Sequence, residues 1–213
     1  MPISQTSIAA KEKLERVCEL YHSFDHLHAS AILVYAYPDL LIEICDVLLA
    51  FRIPIAHITK AGGNESQIPK ALSMLLRPKG WKESKLTAKL VVDEETVSSD
   101  THKIDYVKGG VAFDLEWNSK DQTFDRDLFA FSTFFGYRRI GVGVLLTRDT
   151  SLNEIFRKLG SYADSVTGSK KNYMAKYGAS TTHMDKLLPR LKSGRSGGCP
   201  VLALGITPKQ IDP

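Results

Sequence analysis

The chain has 213 residues, of which 43% are hydrophobic and 24% charged, and its formal net charge is +4. This length fits one domain with a sizeable core, and the composition is ordinary for a globular protein. No apolar run approaches the roughly twenty residues of a membrane span, so we expect no membrane partner. Three widely spaced cysteines suit buried, reduced thiols, and we therefore expect a cytoplasmic protein without disulfides.

The sequence predicts helices and strands that alternate in the first half of the chain. Amphipathic spacing predicts helices, and short continuous apolar runs predict buried strands. The helices are expected over 7–23, 39–51 and 65–77, the strands over 31–37 and 53–59, and a glycine-rich turn over 60–64.

The second half continues the alternation around a predicted hairpin. The hairpin covers 103–117 and turns at Gly109 and Gly110. Around it we predict strands over 86–97, 140–147 and 199–207 and helices over 124–136 and 151–160. The predicted fold class is α/β, with a mixed central β-sheet flanked by helices on both faces.

Carboxylates interrupt the apolar second strand of this hairpin. Asp114 and Glu116 are two residues apart, so their side chains share one face of the strand. Asp105 lies across the turn and can face this pair. Three clustered carboxylates repel one another unless a cation lies between them, and hard oxygen ligands select Mg²⁺. Such a site indicates metal-assisted phosphodiester hydrolysis. The alternative is a solvated hairpin edge whose acids pair with Lys108 and Lys120.

The pattern Asp105-x(8)-Asp114-x-Glu116 resembles the PD-(D/E)xK nuclease motif, and the surrounding sequence resembles the BglII/BstYI group of type II restriction endonucleases. The resemblance covers most of the chain in order. The stretches that carry it are HLHASAIL (26–33), GGNESQI (62–68), KGWKES (79–84), KIDYVKGGVAFDLEWNSKDQTFDRDL (103–128), GVGVLLTR (141–148), YGASTTHM (177–184) and GGCPVLALGIT (197–207).

This resemblance implies a restriction-endonuclease-like core in one domain over 1–213, with the catalytic core at about 60–150. It implies Mg²⁺-dependent cleavage of both strands of double-stranded DNA at a short palindromic site, with one or two Mg²⁺ ions per active site. A homodimer and a cognate DNA methyltransferase of the same restriction-modification system are the implied partners.

The resemblance also implies roles for individual residues. Asp105, Asp114 and the backbone carbonyl of Leu115 would be metal ligands. Glu116 falls where the superfamily has lysine and where close relatives have glutamine or glutamate, so it would act as a base or a further metal ligand. The D…D-x-E pattern is similar to the BamHI-like active site, which also uses a glutamate from a helix. Glu65 matches that glutamate, although an acid in a first helical turn is also favoured by the helix dipole.

Residues for reading DNA are expected in two places. Asn118, Ser119 and Lys120 directly follow the catalytic strand, and Asn and Lys can bond to adenine and guanine in the major groove. A polar loop leaving a strand is the alternative interpretation of these three residues.

The second expected DNA-recognition segment covers about 165–198. It is rich in Lys and Arg and contains few acids, which suits phosphate contacts but is also typical of a solvated face. A helix cap near 182 is compatible with either interpretation. The expected DNA-binding residues of this segment are Lys170, Lys171, Lys176, Ser180, Thr181, Thr182, His183 and Arg195.

Two other functions compete with site-specific cleavage. One is a catalytically silent DNA-binding protein of the same fold, and the other is a nuclease for modified or structured DNA. The three acids argue against a silent protein, because a binding-only site gains nothing from carboxylate repulsion beside phosphates.

Overall fold

A computed structural model of the chain describes residues 3–59, 66–92, 95–100, 102–163 and 167–213, without the side chains of 88–92 and 95–100. Its helices are α1 (Gln5–Leu20), α2 (Ala29–Ala36), α3 (Pro38–Ala50), α4 (Ile55–Thr59), α5 (Gln67–Leu76), α6 (Thr123–Gly136), α7 (Asn153–Leu159), α8 (Tyr173–Lys176) and α9 (Met184–Lys192). Its strands are β1 (Tyr21–His26), β2 (Ile53–Pro54), β3 (Lys82–Ser84), β4 (Thr87–Val92), β5 (Glu95–Asp100), β6 (Ile104–Lys108), β7 (Val111–Glu116), β8 (Val142–Arg148), β9 (Ser161–Ala163), β10 (Lys170–Asn172), β11 (Val201–Ile206) and β12 (Ile211–Asp212).

A six-stranded mixed sheet with the order β1-β11-β8-β7-β6-β3 forms the centre of the fold. Strands β11, β8 and β7 run parallel to one another, whereas β1, β6 and β3 pair antiparallel at the two sides. The parallel strands are buried along their whole length, as expected for strands covered on both faces. The predicted α/β class with a mixed sheet is confirmed.

The two faces of the sheet pack against different groups of helices. Val142, Val144 and Leu146 of β8 belong to a core that also contains residues of α1, α2, α3 and α5. Leu145 lies on the other face, in a core with residues of α6 and α9. Because successive strand residues point to opposite faces, one strand serves both cores. Strand β7 lies next to β8 and is covered in the same way.

The hairpin and four of the elements after it, α6, β8, α7 and β11, were predicted correctly. Strands β6 and β7 form the hairpin, with Gly109 and Gly110 at positive φ in its turn. Helix α6 and strands β8 and β11 match their predicted ranges within two residues. Gly160, predicted to end helix α7, has a φ of +67°.

Several predictions in the rest of the chain were wrong. The apolar run 31–37 is helical in α2, and 53–59 contains only two strand residues before α4 begins. Short apolar runs do not distinguish a buried strand from a buried helix, which is why both predictions failed. The prediction for 86–97 is also corrected, because this range is divided between the antiparallel strands β4 and β5. The predicted turn at 60–64 lies outside the described residues.

The three cysteines are free thiols, as predicted, but only two are buried. Cys45 and Cys199 have no exposed surface, whereas Cys18 is exposed. The expectation of burial was therefore wrong for Cys18. Within the described ranges, no helix combines the length and apolar character needed to cross a membrane.

Candidate active site

The hairpin places Asp105 directly beside Asp114. Tyr106 pairs with Phe113 in the antiparallel register, so the next pair outward is Asp105 and Asp114. The backbone N–H of Asp105 donates a hydrogen bond of 2.7 Å to Oδ1 of Asp114. The two acids that sequence spacing brought together are therefore adjacent.

Asp114 is a buried carboxylate with only one of its oxygens bonded. The residue is 5% exposed, and its Oδ2 is buried without a hydrogen-bond partner. Burial raises the pKa of Asp114 well above its ordinary value, and the negative charges of Asp127 and Asp105 raise it further. This oxygen therefore lacks either a proton or a cation.

Glu116 ends the same face of β7 and is also buried, at 9% exposed. Its carboxyl group lies near the side chains of Ser119 and Asp127, and its Oε1 is 3.5 Å from Nη2 of Arg126. Burial is the largest influence and raises the pKa of Glu116, while Ser119 and Arg126 oppose the rise. Its backbone carbonyl accepts a 2.7 Å hydrogen bond from Oγ1 of Thr147, which fixes the end of the strand.

Asp127 and Arg126 of α6 lie beside Glu116, and sequence reasoning missed both. Asp127 is 3% exposed, and burial together with the charge of Glu116 raises its pKa to about 8. The guanidinium of Arg126 lies 3.2 Å from Oδ1 of Asp127 and 3.5 Å from Oε1 of Glu116. The available signal was an acid on the buried stripe of α6, between Phe124 and Phe131.

The acids do not form a ready-made metal cage. Among the described residues, no group of three or more His, Cys, Asp or Glu side chains is spaced to hold a metal ion. Asp105 remains exposed, while Asp114, Glu116 and Asp127 are buried. Glu65, the predicted helix glutamate, lies outside the described residues.

The donor atoms nevertheless fit a hard divalent cation. Asp114 Oδ2 and Asp127 Oδ2 are buried carboxylate oxygens without partners, and such oxygens are the ligands that Mg²⁺ prefers. The backbone of Asp105 bonds to Asp114, and the negative charge of Asp105 raises the pKa of Asp114. The backbone carbonyl of Leu115 is also a predicted ligand. Leu115 lies between Asp114 and Glu116 in the chain and pairs with Leu146 of β8.

The two predicted DNA-reading segments lie against each other. The N–H of Thr182 donates to the carbonyl of Ser119 at 2.9 Å, and the N–H of Asp121 donates to the carbonyl of Ser180 at 3.0 Å. Lys120 and Thr181 form an antiparallel bridge between these bonds. The loop after β7 and the segment before α9 therefore make one continuous surface next to Glu116.

Side chains on this joined surface differ in their access to solvent. Lys120 and Ser180 are exposed, whereas Asn118, Ser119, Thr181 and His183 are half-buried. Thr182 is fully buried, so in this conformation it offers no surface to DNA. The pKa of His183 is lowered, first by burial and then by the charge of Arg148.

The predicted phosphate-binding residues are also in different settings. Lys170 and Lys171 are exposed on β10, the edge of a small two-stranded sheet. Lys176 is half-buried among tyrosine rings, and its Nζ donates to the carbonyl of Ile58 at 3.1 Å. Arg195 pairs with Asp125 of α6. The basic segment is therefore partly neutralised by the protein itself.

A comparison with protein-family models gives a match over most of the chain. Residues 21–206 match the family described as restriction endonuclease BglII/BglIII. The match begins at the first residue of β1 and ends at the last residue of β11, so it contains the entire central sheet. A search of curated proteins found no match.

Proposed function

Because the chain belongs to the BglII/BglIII family of restriction endonucleases, and is thus a type II site-specific deoxyribonuclease, we propose that it cuts both strands of duplex DNA at a short palindromic site with Mg²⁺. Restriction endonucleases generally need a divalent metal ion, and we propose that this ion is Mg²⁺. The observation that carries this proposal is the buried, unpartnered Oδ2 of Asp114 beside Asp105.

Each acid has a proposed task in the hydrolysis. Asp105, Asp114 and the backbone carbonyl of Leu115 would hold the cation, which when bound polarises a phosphoryl oxygen and activates water. Glu116 would accept the proton of the attacking water at its side-chain carboxylate. Its raised pKa supports this assignment, because a base acts best when its pKa approaches the working pH. Glu65 remains a predicted fourth catalytic acid.

Asp127 extends this proposal. Its carboxyl group lies close to that of Glu116, and Nη2 of Arg126 bridges the two acids, at 3.2 Å from Asp127 and 3.5 Å from Glu116. We therefore assign Asp127 as a positioning residue for Glu116. The cost of burying these charges is tolerated because the metal and the scissile phosphate of the substrate complete the site.

DNA would be read by the joined surface beside Glu116. Asn118, Ser119, Lys120, Ser180 and His183 have side chains with access to solvent there. Lys170 and Lys171 would neutralise phosphates from β10. Lys176, Thr181 and Arg195 bond within the protein, and Thr182 is buried, so their direct contacts would need rearrangement.

The two-fold symmetry of the proposed palindromic site favours a homodimer. A palindromic site presents the same face twice, so a homodimer would place one active site at each strand. A cognate DNA methyltransferase would protect the host's own sites. We propose one domain over 1–213 for each subunit, with the catalytic core at about 60–150 and the recognition segment at about 165–198.

Cleavage of supercoiled plasmid DNA tests the proposed function. With Mg²⁺ we expect discrete linear fragments whose ends map to one palindromic sequence, and no fragments when EDTA removes the metal. Glu116→Ala should abolish cleavage and keep DNA binding, measured by gel shift with Ca²⁺ in place of Mg²⁺. Glu12→Ala, in an exposed acid of α1, is the matched control and should cut normally.

Three outcomes of this assay would contradict the proposal. A gel shift without cleavage would indicate a silent DNA-binding protein. Cleavage restricted to methylated or branched substrates would indicate a nuclease for modified or structured DNA. A normal cleavage rate for Glu116→Ala would remove Glu116 from the catalytic acids.

A further inference from the structure

Arg148 is a buried cation at the end of β8. It is 1% exposed, and no acid in the described ranges forms an ion pair with it. Its guanidinium lies 5.3 and 5.6 Å from the ring centroids of Tyr177 and Phe156. Burial lowers the pKa of Arg148 to about 10, so it stays charged at neutral pH. Burying a charge without a counterion is costly, so the hydrogen bonds that Arg148 makes are needed to offset this cost.

Those hydrogen bonds join the catalytic strand to the recognition surface. Nε of Arg148 donates to the backbone carbonyl of Trp117 at 2.8 Å, and Nη2 donates to Oγ1 of Thr181 at 2.6 Å. Trp117 directly follows Glu116. The Thr181 hydroxyl donates in turn to the carbonyl of Gly178 at 2.7 Å, so its bonding capacity is used inside the protein.

The neighbouring residue of β8 acts on the same strand end from the other face. Oγ1 of Thr147 donates to the carbonyl of Glu116, one residue before the carbonyl that Arg148 holds. Two consecutive residues of β8 therefore hold two consecutive carbonyls of the catalytic strand. Only the bond network of Arg148 continues into the recognition surface, through Thr181.

We propose that Arg148 is a positioning residue that couples DNA recognition to cleavage. The inference rests on the proposed function. Correct base contacts at the joined surface place Thr181, Arg148 transmits that placement to Trp117, and Glu116 is aligned with the scissile phosphate. A wrong base pair leaves Thr181 displaced, so DNA is bound but the glutamate is not aligned. Arg148 itself contacts neither DNA nor the reacting atoms.

Thr181→Val tests the coupling because it removes the hydroxyl to which Arg148 donates. Valine has nearly the same shape as threonine, so the change in packing is small. Single-turnover cleavage is measured on a duplex with the mapped site and on one with a single base pair changed. Thr181→Ser, which keeps the hydroxyl, is the rescue variant. Thr133→Val is the matched control, because it removes a threonine hydroxyl bonded to the carbonyl of Phe129 in α6.

We expect Thr181→Val to cut the mapped site at least ~10-fold more slowly and the altered site less than ~2-fold more slowly, so that discrimination falls. Binding of the mapped site with Ca²⁺ should change less than ~3-fold, and Thr181→Ser should restore rate and discrimination. Arg148→Lys should show the same losses. Adding Thr181→Val to it should cause no further loss, since both changes break one connection.

Several results would overturn the inference. Equal slowing on both duplexes would indicate general damage, and a loss of binding in proportion to rate would make Thr181 a direct DNA contact. If thermal melting shows that Thr181→Val is unfolded, normal discrimination by Arg148→Lys overturns the inference instead. Unchanged discrimination in a chain that cuts normally overturns this inference alone, whereas absence of cleavage by the unsubstituted chain also overturns the proposed function.

Discussion

The two faces of β7 are equally buried but chemically opposite. Val111, Phe113 and Leu115 point into the larger apolar core, while Asp114 and Glu116 point to the other face and follow Ala112 along it. Both faces lie within the same six residues, so strand geometry alone decides which side chain reaches which side. The apolar face contributes stability. The acidic face lowers the stability of the metal-free fold, and the proposed metal site would account for its presence.

The largest expected effect comes from one buried acid. Asp114→Asn should lower the single-turnover cleavage rate by at least ~10⁴-fold, about 5 kcal/mol of transition-state stabilisation, because a proposed metal ligand is lost. The same change should raise the melting temperature of the metal-free protein, since it removes a buried charge with a raised pKa. Asp46→Asn, in a half-buried ion pair with Lys13, is the control and should cut normally. Parallel losses of activity and stability would break the comparison between the two faces.

The apolar face should respond in the opposite way. Phe113 is fully buried and makes an edge-to-face contact with Tyr106, with ring centroids 6.1 Å apart. Phe113→Ala should lower the free energy of unfolding by about 3–5 kcal/mol, measured with urea, because it leaves a cavity. Tyr35→Ala, at an aromatic that is 58% exposed, should change it by less than ~0.5 kcal/mol. A small effect of Phe113→Ala would show that this face does not carry the core.

Sequence reasoning predicted the hairpin and its neighbours because their signals are local. The glycine pair, alternating apolar residues and the spacing of Asp105, Asp114 and Glu116 are all visible in the chain. It missed helix α2, because a short apolar run does not reveal whether its partner is a sheet or another helix. It missed Asp127 for a related reason, since the contact with Glu116 depends on how α6 lies across the sheet.

The stability of the metal-free protein should depend on pH through the buried acid Asp127. The folded pKa of about 8 lies above the ordinary unfolded value, so the folded state binds the extra proton. The stability of the metal-free protein should therefore fall as pH rises from about 4 to about 8. Asp127→Asn mimics the protonated acid and should raise the melting temperature at pH 8 by at least ~3 °C, with a smaller gain at pH 5. An equal gain at both pH values would rule out ionisation as the cause.

The smallest expected effect comes from Lys120, in the loop 117–121 that follows β7. Lys120 is exposed there and bridges to Thr181 through its backbone, so its side chain is free to face DNA. Lys120→Ala should cost about 1–3 kcal/mol of discrimination at one base pair if the lysine reads guanine. If it contacts a phosphate, the salt dependence of binding should decrease by about one counterion without a change in site preference. Ca²⁺ affinity, measured by calorimetry, should stay unchanged, because the proposed role of Lys120 lies on the joined surface rather than among the acids of β7. Lys11→Ala on α1 is the control, and an effect of Lys120→Ala on metal binding alone would move this residue into the catalytic site.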